Sequence, residues 1–456
     1  MIGIIGIVLA IIFLMVGSYK GLSALPLTLL ASLIVIVTNV MNLWESLATL
    51  YMNGYVGTYL NYFLIFCCSS LYAHVMTESG STLSIAYQLL GWFGKKRVIL
   101  ASIIIVAILT YGGVSLFVVM FAVGPILYTM FQEADLPRHL IAAVLFAGSC
   151  TFTMTCLPGS PQLTNIIPSQ YLGTPLTAAP VFGCIAAVAL FLMDYAYCEY
   201  CARKARKNGE HWSFQKNFDA SKYQTGDRST LPGAFQAFLP MVVLILFIFI
   251  GGKFISNSAM LSVSAMLLGT LSCYLLNLKR FMSMDIRKIL ASLNNGITSI
   301  GSLAAVCGFG AVVQGSAAYG RIVENVTSWQ MSPYMLAVVA TAVLAAVAGS
   351  SSGGARLMLS SMSEYFLSTG ADMQIMHRLI SIAAGSLDSM PHATGIFLFN
   401  DYLGTTHKEI YWHCFWTALV PPAIIALVGA TIFTVIGQLS AQHNAINLSQ
   451  GAPNFP

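Results

Sequence analysis

The 456-residue chain is 57% hydrophobic and 8% charged, with a mean hydropathy of +0.78, which excludes a water-soluble globular domain and predicts a polytopic, all-α membrane protein. Its net charge of +5 is explained by loops that set membrane topology, so no nucleic-acid partner is expected. The ten cysteines lie within or beside apolar runs and read as small hydrophobes. Cys198 and Cys201 form a lone CxxC with no second pair and no nearby His, so no metal, cofactor or redox centre is expected.

The run 2–17 has no basic segment before it and no cleavage motif behind it, and reads as a retained first span. Further apolar runs cover 22–40, 55–77, 139–170, 176–200, 234–252, 257–278, 289–318, 377–403 and 410–437. At about 1.5 Å per residue each can cross a core of about 30 Å, which predicts about ten crossings. Two stretches, 98–131 and 333–367, fit neither one span nor two, because about 34 helical residues measure roughly 51 Å. Each breaks at a glycine pair, Gly112 with Gly113 and Gly353 with Gly354, and both read as re-entrant hairpins.

With the hairpins counted as non-crossing, Lys20, Lys95, Lys96, Arg97, Arg138, the 203–228 loop, Lys279, Arg280, Arg287, Lys288 and Lys408 fall on one side, the cytoplasm. Lys253, Arg321 and Arg378 are left outside, together with both termini. The hydrophilic segment 201–231 reads as a cytoplasmic linker between a first membrane repeat, 1–200, and a second, 232–440, ahead of a polar tail, 441–456. Five crossings precede the linker, an odd number, so the second repeat enters inverted. The letters agree: an Ala-Asp pair precedes a Gly-Ser pair by one interval at 134–149 and 371–386. A proline followed by Tyr-Leu-Gly-Thr recurs at Pro158 with Tyr171–Thr174 and Pro391 with Tyr402–Thr405.

The segment 347–359, VAGSSSGGARLML, places six Ser and Gly residues and one Arg at membrane depth. Irregular backbone there is tolerated only where protein or a water-filled cavity surrounds it, so the segment predicts an anion site. Arg356 pairs bidentately with a planar carboxylate; the alternative is a structural Arg held by a buried acid, Glu364 or Asp388. Ser350, Ser351, Ser352, Gly353 and Gly354 donate to the same anion or serve close helix packing. Gly112, Gly113 and Ser115 form the equivalent tip in the first half. Each repeat also has a helix break, 155–165 with Gly159, Ser160, Gln162 and Asn165, and 385–395 with Ser389 and Thr394, whose exposed N–H groups suit a carboxylate. Asp388 and His392, four apart, carry a coupling proton or, alternatively, cap the break and fill a polar gap; Glu364 is next in line. His74 and Glu78 read as a solvated pair, and Asp194 as a snorkelling carboxylate near a helix end.

The tip GSSSGGARLML, the following HRLISIAAGSLDSMPHATG and the first-half LPGSPQLTNIIPSQYLGT resemble the gluconate permease (GntP) family of the ion transporter superfamily, above all its hydroxybutyrate and organic-acid permease members. The resemblance covers most of the chain. It implies a bacterial inner-membrane proton symporter for a small hydroxycarboxylate, with an inverted repeat, two re-entrant hairpins, an elevator-like motion and a homodimer. Sugar-acid members carry a His-rich Pro motif in the first break; LPGSPQ stands there instead, which points to a shorter acid. The expected function is therefore secondary active transport of a hydroxy- or keto-monocarboxylate with protons, and no enzymatic activity. A Na⁺-coupled carboxylate carrier and an anion channel are the alternatives.

Overall fold

The computed structural model describes residues 2–20, 22–93, 97–113, 116–212, 230–282, 286–321, 331–391 and 393–443, and every regular element among them is helical. The first half comprises α1 (Ile2–Tyr19), α2 (Ala24–Thr38), α3 (Leu43–Glu78, with a π-helical turn at Ser46–Tyr51) and α4 (Ser81–Phe93). It continues through α5 (Val98–Tyr111), α6 (Leu116–Glu133), α7 (His139–Ser149), α8 (Leu163–Leu172) and α9 (Pro180–Lys207). The second comprises α10 (Ala234–Gly251), α11 (Ser258–Leu276), α12 (Leu293–Gln314), α13 (Pro333–Ala348), α14 (Ser351–Ser368), α15 (Met373–Ala384), α16 (Thr394–Leu403) and α17 (His407–Cys414, running through a second π-turn into Val420–Gln442).

By length and apolar composition, α3, α9, α10, α11 and α17 can each cross a membrane. The expected spans 139–170 and 377–403 are each two helices around an irregular middle: α7 and α8 in one, α15 and α16 in the other. Glycine ends both second pieces in the left-handed conformation, Gly173 at φ 65° and Gly404 at φ 58°, as a helix C-terminus favours. Helix α4 occupies a stretch for which no span is expected.

The element order repeats: two helices joined at a glycine tip, a broken helix, then a long helix. Packing repeats with it. Helices α5 and α6 pack together as α13 and α14 do, α5 lies on α7 as α13 lies on α15, and α9 lies on α7 as α17 lies on α15. The two broken helices are also cross-linked. Arg138, at the start of α7, donates Nη2 to the Gly404 carbonyl just past α16 at 3.3 Å, while His377, in α15, bonds Thr174 just past α8 at 2.6 Å. Loops expected on the cytoplasmic side meet one another: His139 lies 3.5 Å from Glu210, and Arg280 donates to the Thr230 carbonyl at 3.1 Å.

Four expectations need correction. The second tip bends at Gly349 (φ 55°) and Ser350, not at Gly353 and Gly354, which lie in the first turn of α14. A Cβ on Gly354 would run into the backbone of Ala345, so its role is close approach of α13. Arg378, counted among the basic residues of the outer loops, is fully buried in α15. Asp194 does not snorkel; it is fully buried and accepts from Thr151 Oγ1 at 2.8 Å. Finally, α9 continues to Lys207 and residues 211–212 dock on Asp135, so the linker begins as helix and docked chain.

Candidate transport site

Helix α14 starts where it does because Gly349 takes the left-handed turn and Ser350 caps the next helix, its hydroxyl accepting from Gly353 N at 3.3 Å. The first turn therefore places Arg356 inward, 7% exposed. Its guanidinium carbon stands 4.9 Å from the ring centre of Tyr62 on α3, a cation–π distance. Tyr171, in the last turn of α8, lies beside it. Gly57 on α3 faces the guanidinium; a Cβ there would stand 3.7 Å from Nη2, an ordinary van der Waals contact. Nη1 is buried without a hydrogen-bond partner, and no carboxylate pairs with the group among the described residues. Glu364 is exposed two turns further along α14 and is not its counter-ion.

Beyond Tyr62 and Tyr171 lies a cavity of about 600 Å³, lined also by Asn61 of α3, Ser169, Gln170 and Gly173 at the end of α8, and residues 256–258 leading into α11. Most of this lining is polar. The Arg356 Nη1 nitrogen, next to Tyr62 and Tyr171, has no hydrogen-bond partner, and a buried charge without a partner is costly.

The remaining expected residues form two further groups. At the second break, Asp388 sits in the short turn Leu387–Ser389, accepts from Ser389 Oγ at 3.0 Å, and has the Ser351 hydroxyl within hydrogen-bonding reach. A tip serine and Asp388 therefore meet: Ser351 lies within hydrogen-bonding reach of Asp388, while Ser352 and Ser350 lie 3.4 Å apart, hydroxyl to hydroxyl. Arg356 and Asp388 do not pair. His392 and Ser115 lie outside the described residues, as does the side chain of Thr394, which opens α16.

At the first break the expected ligands are committed to protein. Gln162 donates to the Thr110 carbonyl at 2.9 Å, and Tyr111 donates to the Pro158 carbonyl at 2.8 Å, which pins the first tip to its own break. Gly113 (φ 91°) packs against Pro161, and Gly112 against Met241 of α10. Gly159 (φ 77°) donates its N–H to the Leu176 carbonyl at 3.0 Å. Asn165 donates to the carbonyls of Ser160 and Leu176, and its Oδ1 accepts from His377 Nε2 at 2.8 Å. It is a clamp between the halves. Ser160 alone of this group is fully buried with an unpartnered hydroxyl.

The two breaks touch. Gly385 packs on Thr155, and Arg378 donates to the carbonyls of Thr155 at 3.2 Å and Ala178 at 2.9 Å. Sequence reasoning missed Tyr62, Asp194 and the inward position of Arg378. Tyr171 did carry a signal, as the first letter of the repeated Tyr-Leu-Gly-Thr.

Apolar helices broken at mid-length around buried charge make up a membrane permease. Residues 1–439 match the model of the GntP family permeases, and the chain belongs to that family. It is 30% identical to an uncharacterised transporter, YxjC, of Bacillus subtilis (strain 168), across 94% of this chain and 98% of that one. It is 24% identical to a gluconate permease of Bacillus licheniformis, across 83% and 87% respectively. The resemblance read from the hairpin and break motifs thus holds at the level of the family. The chain is a multi-pass membrane transporter of a small solute and not an enzyme.

Proposed function

We propose that the chain imports a small hydroxy- or keto-monocarboxylate, hydroxybutyrate-like or gluconate-like, with protons across the bacterial inner membrane. The observation that carries this reading is Arg356: buried, with no carboxylate partner among the described residues, its Nη1 without a hydrogen bond, and in contact with Tyr62 and Tyr171, which line a polar cavity. A carboxylate entering from that cavity supplies the missing counter-ion and takes the bidentate geometry that guanidinium favours. Hydroxyl groups on its carbon chain find partners in Asn61, Gln170 and the serines of the lining. The likeness to the gluconate permease of B. licheniformis supports a sugar-acid-like substrate, and the absence of His from LPGSPQ favours a shorter one.

In this reading the halves 1–200 and 232–440 are inverted repeats, α5–α6 and α13–α14 are re-entrant hairpins, and 201–231 is the cytoplasmic linker. Asp388, touched by the second tip through Ser351 and Ser389, carries the coupling proton. Substrate binding at Arg356 acts on α14, and the N-terminal turn of α14 bears on Asp388, so one rigid helix links the two events. A monoanion with one proton moves no net charge, and each further proton adds about 2.3 kcal/mol of driving force per 100 mV.

The test is a thermal-shift panel of short hydroxy- and keto-acids on the purified protein, followed by uptake into proteoliposomes under an imposed pH or Na⁺ gradient. The expected result is stabilisation by a three- to six-carbon monocarboxylate (about the size that fits such a pocket) and accumulation driven by the pH gradient. Accumulation driven by Na⁺ alone overturns the proton assignment; flux that never concentrates substrate makes the protein a channel.

A further inference from the structure

Asp194 lies midway along the 28-residue helix α9, on the face that buries Leu190, Cys198 and Ala202, and neither the anion site nor the second break uses it. It is fully buried. Oδ2 stands 2.8 Å from Thr151 Oγ1, Oδ1 has no hydrogen-bond partner, and no basic group forms an ion pair with the carboxyl among the described residues. An ionisable side chain at that depth in an apolar helix is costly to keep without a use.

The register of the two halves gives this place a counterpart. With Gly148 and Ser149 aligned on Gly385 and Ser386, Thr151 falls on Asp388, each two residues past its serine. The first break thus carries a hydroxyl where the second carries its acid, and α9 brings a carboxyl to that hydroxyl. Cys150, beside Thr151, lies near both acids. The hydrogens around Thr151 are countable. Its single hydroxyl hydrogen faces two acceptors, the Ala147 carbonyl at 2.6 Å and Asp194 Oδ2 at 2.8 Å. With Asp194 charged, that hydrogen goes to the carboxylate and the carbonyl goes without. With Asp194 protonated, Oδ2–H donates to Thr151 and Thr151 donates to Ala147, so both contacts are hydrogen bonds and no charge is buried. The oxygens stand at bonding distance for either state, so a proton is held or given up here without repacking.

We propose that Asp194 is a second proton-carrying site, so that two protons enter with each monoanion and one net positive charge crosses per cycle. It rests on the proton-symport reading above. Each half then supplies one acid at its break, Asp194 against Thr151 in the first and Asp388 in the second. In each cycle one O–H bond forms at each carboxyl with a proton from the outer solution and breaks to release it on the inner side. Asp194 is sealed in this conformation, so its proton exchanges when the first break parts from α9. The titratable groups near it are the thiols of Cys150 and Cys156 at the break and of Cys198 one turn along α9. Of the other elements packed on α9, α5 and the 415–442 part of α17 carry no charged residue, and Arg138 and His139 stand at the opposite end of α7. Arg378 of α15 is held by the Thr155 and Ala178 carbonyls, and His413 of α17 faces Tyr197.

The test uses the full-length protein in Na⁺-free proteoliposomes, with labelled 3-hydroxybutyrate and labelled gluconate as probes. At equal pH, a potential of about 100 mV, inside negative, should drive the parent toward about 50-fold accumulation and Asp194→Asn, left with one proton per monoanion, to none. A one-unit pH gradient should drive the parent toward about 100-fold and the variant toward about tenfold. Infrared spectra of the protein should show the carbonyl band of a protonated carboxyl that is lost in Asp194→Asn, shifted in Thr151→Val, and moved as the proton exchanges in D2O. Thr151→Val keeps that measurement decisive should Asp194→Asn misfold. A parent driven by the pH gradient but indifferent to potential, a variant still driven by potential, or a band that never exchanges would overturn the second site alone. A parent indifferent to the pH gradient would overturn the symport reading itself. Uptake of neither probe would overturn the substrate reading and leave the infrared band to decide the site.

Discussion

Replacing Arg356 by Met separates a substrate contact from a structural arginine. Nη1 has no hydrogen-bond partner and no carboxylate pairs with the guanidinium among the described residues, so removing the charge removes a desolvation cost and leaves no buried acid stranded. What is lost is the contact to the Tyr62 ring at 4.9 Å, worth about 0.5–2 kcal/mol, and the hydrogen bond with the Tyr171 side chain, worth about 1.5–3 kcal/mol. Methionine is apolar and unbranched and fills the same channel. Arg356→Met should therefore fold and melt no lower than about 5 °C below the parent, within the range that such a loss allows in a large domain.

Binding should behave oppositely. A bidentate carboxylate makes two charge-assisted hydrogen bonds of about 1.5–3 kcal/mol each, and at about 1.4 kcal/mol per decade their loss raises Kd roughly 100- to 10,000-fold. Arg356→Lys keeps the charge but not the fork and should lose about 10- to 100-fold. The assay is ligand-induced thermal stabilisation with a saturating acid, backed by radiolabelled binding; a ligand at 100 times Kd adds about 2.7 kcal/mol to the parent. An Arg356→Met protein that melts far below the parent yet keeps the full ligand-induced shift would refute the reasoning, since that pattern belongs to an arginine holding the fold.

His377 donates to Asn165 and accepts from Thr174, so His377→Leu strands a buried amide oxygen and should cost about 1–3 kcal/mol, read as a lower melting temperature and faster hydrogen exchange at residues 156–165. Asp388→Asn should still swap labelled for unlabelled substrate across a vesicle membrane but no longer concentrate it under a pH gradient; full accumulation would move the proton site elsewhere. Cysteines placed at Asn257 and Gly370 should react only from outside and one at Gly209 only from the cytoplasm, and opposite labelling of the first two would refute the reading of the hairpin α13–α14.

The helical, membrane-spanning character was legible because composition and run length decide it almost alone. The breaks were legible too, since Pro158, Pro161 and Pro391 cannot continue a helix and glycines mark the turns. What the letters hid was direction. Arg378 was placed on the outer side by counting crossings, which says nothing of which way a side chain turns; its helix starts at Met373 and turns the guanidinium onto the carbonyls of the first break. Asp194 looked like an end-of-helix acid, but α9 runs thirteen residues further, to Lys207, and buries it against Thr151. The tip turn was misplaced for a related reason: either glycine pair or single glycine permits it, and Ser350 as a cap decides for Gly349. Asn165 and Gln162 were expected to face substrate because they are polar at a break. Breaks strand backbone carbonyls as well as exposing N–H groups, and these two side chains satisfy the carbonyls.

The position of Arg356 bears on the elevator-like motion that the family resemblance implies. Helices α1, α2, α3 and α12 pack chiefly on one another and α11 lies on α10 and α3, whereas the tips, broken helices and long helices α9 and α17 form a second group cross-locked at Arg138 with Gly404 and at His377 with Thr174. Such cross-links couple the broken helices, so a displacement of one half's break carries the other's. Arg356 belongs to α14 in the second group, but its guanidinium rests on Tyr62 of α3 in the first, and the cavity beside it is lined by both. A substrate bound there is held at the seam. Sliding the second group along α3 would draw Arg356 and its carboxylate off the Tyr62 face, and an unpaired guanidinium making that journey would cross apolar helix surface uncompensated. In the proposed reading the empty carrier would then meet a barrier that the loaded one would not. That difference is what obligatory coupling requires, because a carrier whose unloaded site moved freely would dissipate the gradient it draws on.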